Sequence, residues 1–509
     1  MKKIVLVLGL LTVFSKFLGL VRDIMLSYFY GASSVTDAYL ISLTIPVTAF
    51  SIIGTGIATS YIPMYTKISK ERSKELADNY TNNVASFVII ACTVIVIIVL
   101  AFAEPIVKIF ASGFEGETLK LTTNFTKISI FGIYFSGLIY VFSSYLQVKN
   151  KFFVTALMII PYNLVAIISI MLSSFNITIL AIGSVVSFAA QLFFIIPFVV
   201  KKGFKFNFRF NPSDDYLKKM IYLSLPVIIG ASVDQVNILI DRTMASQVMV
   251  GGISALNYAS RFNGVVQGIF VTSISTVMYP IISKMATEDN IDGLKKTLSQ
   301  AIIGISLLVI PATMGIMSFV EPIVKLLFGR GSFDSHAVTL TSSALFFYSI
   351  GITWFGFREI LSRAFYSLQD TKTPMINATI AMGINIILNI LLSKYLGIGG
   401  IALASSISGI LCAVLLFISL RKKIGSFNIK IISISFIKIL CASAAMVIIA
   451  KISFRYLTRY NSDNLSLSIS IIIGGLIYSI LIYIMKIEDL NSIIDSIKIK
   501  FKKKNNETL

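Results

Sequence analysis

"EPIVKIF" fills residues 104–110, and "EPIVKLLF" fills residues 321–328. The two glutamates are 217 positions apart (104 to 321), and the same offset carries Pro63 and Lys67 onto Pro280 and Lys284. Matches at one fixed offset mark an internal repeat. The chain is therefore expected to contain two copies of one unit, and the sequence around these marks says what that unit is.

It is strongly apolar. Of 509 residues, 56% are hydrophobic and only 13% are charged, with a mean hydropathy of +0.86. A soluble globular domain does not need so much apolar sequence, whereas a polytopic membrane protein does. Fourteen apolar segments reach spanning length: 4–29, 38–66, 83–112, 128–148, 153–174, 177–200, 219–246, 253–284, 299–328, 339–365, 375–396, 398–420, 431–453 and 465–486. Each exceeds or approaches the roughly 20 residues that a spanning helix needs. The repeat equates segments 1–6 with segments 7–12. Six is even, so both copies enter the membrane in the same orientation and are related by a pseudo-twofold axis along its normal. The expected fold is an all-α polytopic membrane protein of 14 transmembrane helices. Two pseudo-symmetric six-helix lobes (1–200 and 201–424) are followed by two C-terminal helices (425–486) and a basic tail (487–509).

The net charge is +20. The basic residues cluster between segments, which is the pattern of loops held on the cytoplasmic side rather than of nucleic-acid binding. Alternate loops carry Lys67, Lys70, Arg72 and Lys74; Lys149 and Lys151; Lys201, Lys202, Lys205 and Arg209; and Arg421, Lys422 and Lys423. The intervening loops are shorter and poorer in Lys and Arg, except for the last, with Lys451, Arg455 and Arg459. Both termini are expected to be cytoplasmic. Lys2–Lys3 and the apolar run after them imitate a signal peptide, but no clean small-x-small cleavage site follows, so the run is expected to be the first helix.

Charges inside spanning segments are rare and usually face a cavity or a partner. Segment 1 holds Lys16, Arg22 and Asp23, and Asp37 opens segment 2. Segment 7 holds Asp234, Asp241 and Arg242, segment 8 holds Arg261, and segment 10 holds Arg358 and Glu359. Asp241–Arg242 and Arg358–Glu359 either neutralise one another or snorkel from helix ends, or they are second-tier charge pairs of the cavity. Arg22 lies toward the outer end of its helix, against the positive-inside bias, and Lys16 lies deeper. Arg261 has no acidic residue within four positions. Cations in both lobes point to a central cavity that holds an anion, and arginine suits phosphate through its planar two-donor fork. Asp37, at the mouth, is the expected counter-charge or gate for a segment 1 cation; Asp23 either belongs to the same cavity and gate set or only neutralises its neighbourhood.

Other chemistries find no support. Cys92, Cys412 and Cys441 have no metal or redox spacing, and the sole histidine, His336, cannot build a histidine metal centre. There is no GxxxxGK[ST], HExxH or GxSxG motif. The expectation is a non-enzyme with no cofactor and no catalytic or metal residues. Its energy would come from the membrane potential, a coupling ion such as Na⁺ or H⁺, or the substrate gradient.

"SKFLGLVRD" with "GASSVTDAY", then "VDQVNILIDRTMAS", "ISALNYASRFNGVVQGIF", "LFGRGSFD" and "RAFYSLQDTKTP", resemble in order the MurJ/MviN family of the MOP exporter superfamily. The matches spread over residues 5–400. The resemblance implies a lipid II flippase of the bacterial cytoplasmic membrane, acting in peptidoglycan synthesis, monomeric, with undecaprenyl-diphosphate-linked lipid II as substrate and membrane lipids around it. It implies a central cationic cavity for the head group and a lipid-tail groove formed by the last two helices. By position, Arg22 and Arg261 match the family's cavity arginines, and Lys16 stands where the family usually has arginine. Asp37 matches its helix 2 acid, and Ser254 a cavity-lining serine. The chain departs from the pattern at "IPVTAFSII", where the family often carries an arginine pair. A flippase for another polyprenyl-diphosphate glycan, of teichoic or capsular type, is the alternative. A cation-coupled multidrug antiporter would need a carboxylate-dominated cavity, and a membrane glycosyltransferase would need larger outer loops.

Overall fold

The computed structural model describes residues 2–426 and 429–485. The basic tail expected at 487–509 lies outside the described residues. The described chain is helical, with no strand. In order the elements are α1 (Lys2–Tyr30), α2 (Ser34–Glu71), α3 (Lys74–Ala101), α4 (Ala103–Phe110), α5 (Gly116–Ser129), α6 (Gly132–Val148), α7 (Phe152–Leu157), α8 (Ile159–Leu172), α9 (Thr178–Lys201) and α10 (Asp215–Val248). Then come α11 (Gly252–Val266), a π-helical turn (Gln267–Val271), α12 (Thr272–Thr287), α13 (Ile291–Ser318), α14 (Val320–Phe328) and α15 (Ser335–Ser367). The chain continues through α16 (Lys372–Leu396), α17 (Ile398–Ile424), α18 (Ile429–Leu457) and α19 (Asp463–Ile484).

Each of the fourteen apolar segments is mostly helical among the described residues. Among the described residues, eleven helices are long and apolar enough to cross a membrane, with α7–α8 and α11–α12 each counted as one; α5 and α6, bent by 43°, make a twelfth. The 29 residues of α1 and the 34 of α10 also exceed the roughly 20 that a span requires.

The repeat reaches down to backbone angles. α3 and α13 are both 28 residues long, and both their starts and their ends are 217 positions apart (74 to 291, 101 to 318). Side chains cap both starts: Ser73 accepts from the Leu76 amide at 3.1 Å, and Asn290 from the Gly293 amide at 2.8 Å. Both helices break at a phenylalanine in nearly one conformation, Phe102 at φ −119°, ψ 33° and Phe319 at φ −121°, ψ 28°. The short α4 and α14 follow, each with the same one-turn ion pair, Lys108–Glu104 at 3.2 Å and Lys325–Glu321 at 2.6 Å. Lys67–Glu71 at 3.8 Å recurs as Lys284–Glu288 at 3.7 Å. Such exposed pairs each contribute only about 0.3–0.5 kcal/mol, so their value here is as markers of common architecture.

By internal packing the described chain forms two compact units. The first runs to Tyr258 and also takes in Phe328–Ala337; the second takes Ala259–Leu327 and the chain from Val338 on. In the first, the 38-residue α2 packs against α3, α5, α6 and α10. Its core joins Phe50, Tyr61 and Tyr65 of α2 to Val88 of α3, Ile133 and Tyr145 of α6, and Ile195 of α9. α1 packs along α8, and α8 along α9. In the second unit α16 and α17 form a hairpin. Buried asparagines of α16 meet serines of α17: Asn385 reaches Ser405 at 3.4 Å and Asn377 reaches Ser419 at 3.3 Å, while Asn389 donates to Asn385 one turn earlier at 2.9 Å. Polar pairs of this kind hold helices together where lipid is as apolar as leucine. α18 packs on α13 and α19 through Ile303, Ile310, Ile439 and Ile482.

Candidate functional site

The arginine of α1 is held by the carboxylate next to it. Arg22 donates from Nε and Nη2 to Oδ1 of Asp23, at 3.0 and 2.8 Å. Successive helical residues do not face one another, so this pair depends on the long arginine stem folding back across its neighbour. The side chains are 14% and 2% exposed. The guanidinium lies 5.9 Å from the ring centroid of Tyr162 on α8, within cation–π range. Lys16 is exposed on α1, seven residues before Asp23 and so nearly two turns away on the same side of the helix. Arg22 is thus a half-buried cation in a spanning helix, held by a carboxylate. A phosphate oxygen offers the same kind of acceptor to the same two donors.

Asp37, expected to face a segment 1 cation, has different partners. Its Oδ2 accepts from the Gly251 amide at 2.7 Å, and its Oδ1 from the Ser254 amide at 2.7 Å and from the Ser254 hydroxyl. Asp37 is 1% exposed and Ser254 fully buried. Gly251 and Ser254 stand at the N-terminus of α11, where amides without helical acceptors and the positive end of the helix dipole both favour an anion. Arg22 is already matched by Asp23, so the helix terminus is the better partner for Asp37. Residues 37 and 254 are also 217 positions apart and occupy equivalent places in the two repeats.

Close backbone packing surrounds this contact. Ser332 donates from its amide to the Tyr28 carbonyl at 2.8 Å and from its hydroxyl to the Phe29 carbonyl at 2.9 Å. Gly331 has φ +64°, and a Cβ there would strike the Tyr28 carbonyl oxygen; Gly31 has φ +60°, and a Cβ there would strike the Ser332 carbonyl oxygen. Tyr258 donates to the Gly31 carbonyl at 3.1 Å and packs on Phe328 and Phe333. Of the residues at this contact, only Asp37 and Ser254 stand out in the sequence. The available signal was a glycine in each of three turns, "YGASS", "VGGIS" and "GRGSF".

The remaining charges divide. Arg242 on α10 donates to the Leu40 carbonyl at 3.0 Å and to the Thr44 hydroxyl, tying α10 to α2 rather than simply neutralising Asp241. Glu359 pairs with Arg363, one turn on, at 2.7 Å, and Arg363 also lies over Tyr279 at 5.3 Å. Residues four apart face one another on a helix, which places Arg363 within reach of Glu359. Arg358 is half-buried on α15. Arg261 is exposed on α11, in the second unit, six residues before the π-helical turn; such turns often accompany functional positions. The side chain of Asp234 lies outside the described residues.

A second charged cluster was not anticipated. Lys149, after α6, donates to the Tyr65 hydroxyl at 2.7 Å, and that hydroxyl donates to Asp78 at 2.8 Å. The ammonium lies over the rings of Tyr65 and Tyr145 at 4.7 and 5.1 Å. Burial lowers the Lys149 pKa, against the opposing pull of Asp78.

Cations and polar helix ends thus stand on the long apolar helices of a repeated bundle. Comparison with known proteins agrees. The family model "Lipid II flippase MurJ" matches residues 26–471. The lipid II flippase MurJ of Thermosipho africanus is 32% identical over 474 residues, covering 92% of this chain and 93% of that protein. A solved lipid II flippase MurJ in an inward closed conformation superposes with a TM-score of 0.82 at 29% identity, covering 94% of this chain and 98% of that one. An inward-facing multidrug MATE transporter of the MOP superfamily shares the fold, with a TM-score of 0.69 at 17% identity over 81% of this chain and 94% of its own. The repeated multi-pass bundle and a match running from α1 into α19 leave one assignment: the chain belongs to the lipid II flippase MurJ family.

Proposed function

We propose that this chain carries lipid II from the inner to the outer leaflet of the cytoplasmic membrane, for cell-wall synthesis, by alternating access. Arg22, Arg261 and Lys16 bind the diphosphate of the head group while the undecaprenyl tail stays in lipid, the last two helices forming its groove. The observation that carries this reading is Arg22: a half-buried arginine in a spanning helix whose two bonded N–H groups sit on one carboxylate oxygen, which a phosphate oxygen can replace. Asp37 and Ser254 serve as a gate that is closed when they are bonded. Both termini are cytoplasmic, so an inside-negative potential drives an anionic head group outward; a coupling ion, Na⁺ or H⁺, can add to this. The protein acts as a monomer, without catalytic chemistry or a cofactor. Lobes 1–200 and 201–424 are the rocking halves.

The test is a strain depleted of its own lipid II flippase and carrying Arg22→Ala or Arg261→Ala, with outward exposure of lipid II as readout. Normal growth and exposure would overturn the assignment of those residues. Failure of the unmodified chain to restore lipid II exposure would redirect the substrate to another polyprenyl-diphosphate glycan. The uncharged "IPVTAFSII" stretch is what keeps that second reading in view.

A further inference from the structure

Between α9 and α10 the chain runs extended through "GFKFNFRFN", residues 203–211, with phenylalanine at every second position from 204 to 210. One edge of this strap is fastened to α3 by side chains. Asn82 donates to the Lys205 carbonyl at 3.2 Å and accepts from the Asn207 amide at 3.0 Å. Ser86 accepts from the Arg209 amide at 3.0 Å. Asn83 donates to the Asn211 carbonyl at 3.0 Å and accepts from its amide at 2.8 Å. Three side chains thus do for the strap what a neighbouring strand would do, and they fix its height along α3.

That height matters. From Val84 to Ala103 the α3–α4 stretch has no charged residue, and Asp78 precedes it. Asn82, Asn83 and Ser86 stand at the lip of this run, so the strap lies where hydrocarbon gives way to water. Phe204 is buried in the core, but Phe206, Phe208 and Phe210 are 51%, 58% and 41% exposed. Lys205 and Arg209 alternate with them and are exposed, as are Lys201, Lys218 and Lys219 nearby. Exposed aromatics alternating with cations at this level match what an interface wants: rings among the upper acyl chains and ammonium or guanidinium groups among phosphates. Basic groups near an anionic lipid surface are attracted to it.

We infer that the strap 203–211 is a membrane anchor that binds the anionic phospholipid surface of the leaflet on the basic-loop side, through Phe206, Phe208 and Phe210 with Lys205 and Arg209.

The test uses the full chain, with its three native cysteines replaced by serine, in nanodiscs of phosphatidylcholine with or without phosphatidylglycerol. Spin labels are placed singly through Phe206→Cys, Phe208→Cys, Phe210→Cys and, as a water-facing reference, Asn207→Cys. Collision with oxygen relative to a water-soluble nickel chelate reports depth. The expected ratio at the three phenylalanine positions is several-fold above that at Asn207, rising further with phosphatidylglycerol. Lys205→Gln with Arg209→Gln should abolish the rise while leaving the depth in phosphatidylcholine largely intact. Ratios at all four positions that match bulk water in both lipids would overturn the inference. So would label immobilisation independent of lipid composition and retained in detergent, which would mean the rings pack on protein.

Discussion

The carboxylate of Asp37 accepts hydrogen bonds from both the amide and the hydroxyl of Ser254, the residue at the equivalent position of the second repeat. A carboxylate buried in a spanning helix is costly unless several donors satisfy it, and the N-terminus of α11 supplies them. Asp37→Ala is expected to lower stability by about 1–3 kcal/mol, because it strips the Gly251 and Ser254 amides of their acceptor. Ser254→Ala keeps both amide bonds and should cost about 1 kcal/mol. Thermal unfolding in detergent measures the order. Ser254→Asp should be the most severe, because two carboxylates at this spacing cannot both stay ionised.

Gly331 and Gly116 separate close contact from backbone strain. Both have positive φ, +64° and +52°, but a Cβ at Gly331 meets the Tyr28 carbonyl, while one at Gly116 meets nothing within 4 Å. Gly116→Ala should cost about 1 kcal/mol, from the left-handed backbone alone. Gly331→Ala should cost more and should also raise the accessibility of a cysteine introduced at Tyr28 to a membrane-impermeant thiol reagent. Equal effects would refute the close contact.

If Arg22 holds the head-group diphosphate as proposed, Asp23, which already occupies its Nε and Nη2 donors, competes with the phosphate. In Asp23→Asn the guanidinium keeps a neutral acceptor but loses the charge that matches it, so binding of a pyrophosphate-headed lipid is expected to tighten several-fold. Arg22→Lys should weaken it, because one ammonium cannot reproduce the two-donor fork. Lipid titration by native mass spectrometry reads both.

Tyr65 links Lys149 to Asp78. Tyr65→Phe removes the shared hydroxyl but keeps the ring under the ammonium, and is expected to cost about 1–2 kcal/mol. Lys149→Met, which loses the charge and keeps the stem, should cost less than Lys149→Ala. The order of melting temperatures tests this.

Asp370, in the turn before α16, contributes to acid stability. The Lys423 ammonium bonds it at 2.6 Å and the Thr373 amide at 3.0 Å; led by the Lys423 bond, these lower its pKa from 3.8 to about 2. A folded-state value below the unfolded one gives stability that is present above pH 3.8 and is lost as pH falls through about 2. Asp370→Asn should flatten the stability profile across that window. An unchanged profile would show that the bridge is not formed in solution.

Spans and repeat were legible along the chain because hydropathy and fixed-offset matches are local and additive. "EPIVKIF" and "EPIVKLLF" predicted two copies, and the copies agree to within a few degrees at Phe102 and Phe319. The candidate charges were legible too, since an ionisable residue stands out in an apolar run. Their partners were not. Asp37 lies close to Arg22 in sequence, yet bonds a helix terminus more than two hundred residues away. Arg242 bonds the α2 backbone, and Glu359 bonds Arg363. The Asn82, Asn83 and Ser86 clasp on residues 205–211 had no visible signal, because its acceptors and donors are backbone groups that every residue carries. Which donor meets which acceptor depends on helices brought together by packing, and only the tertiary structure decides that.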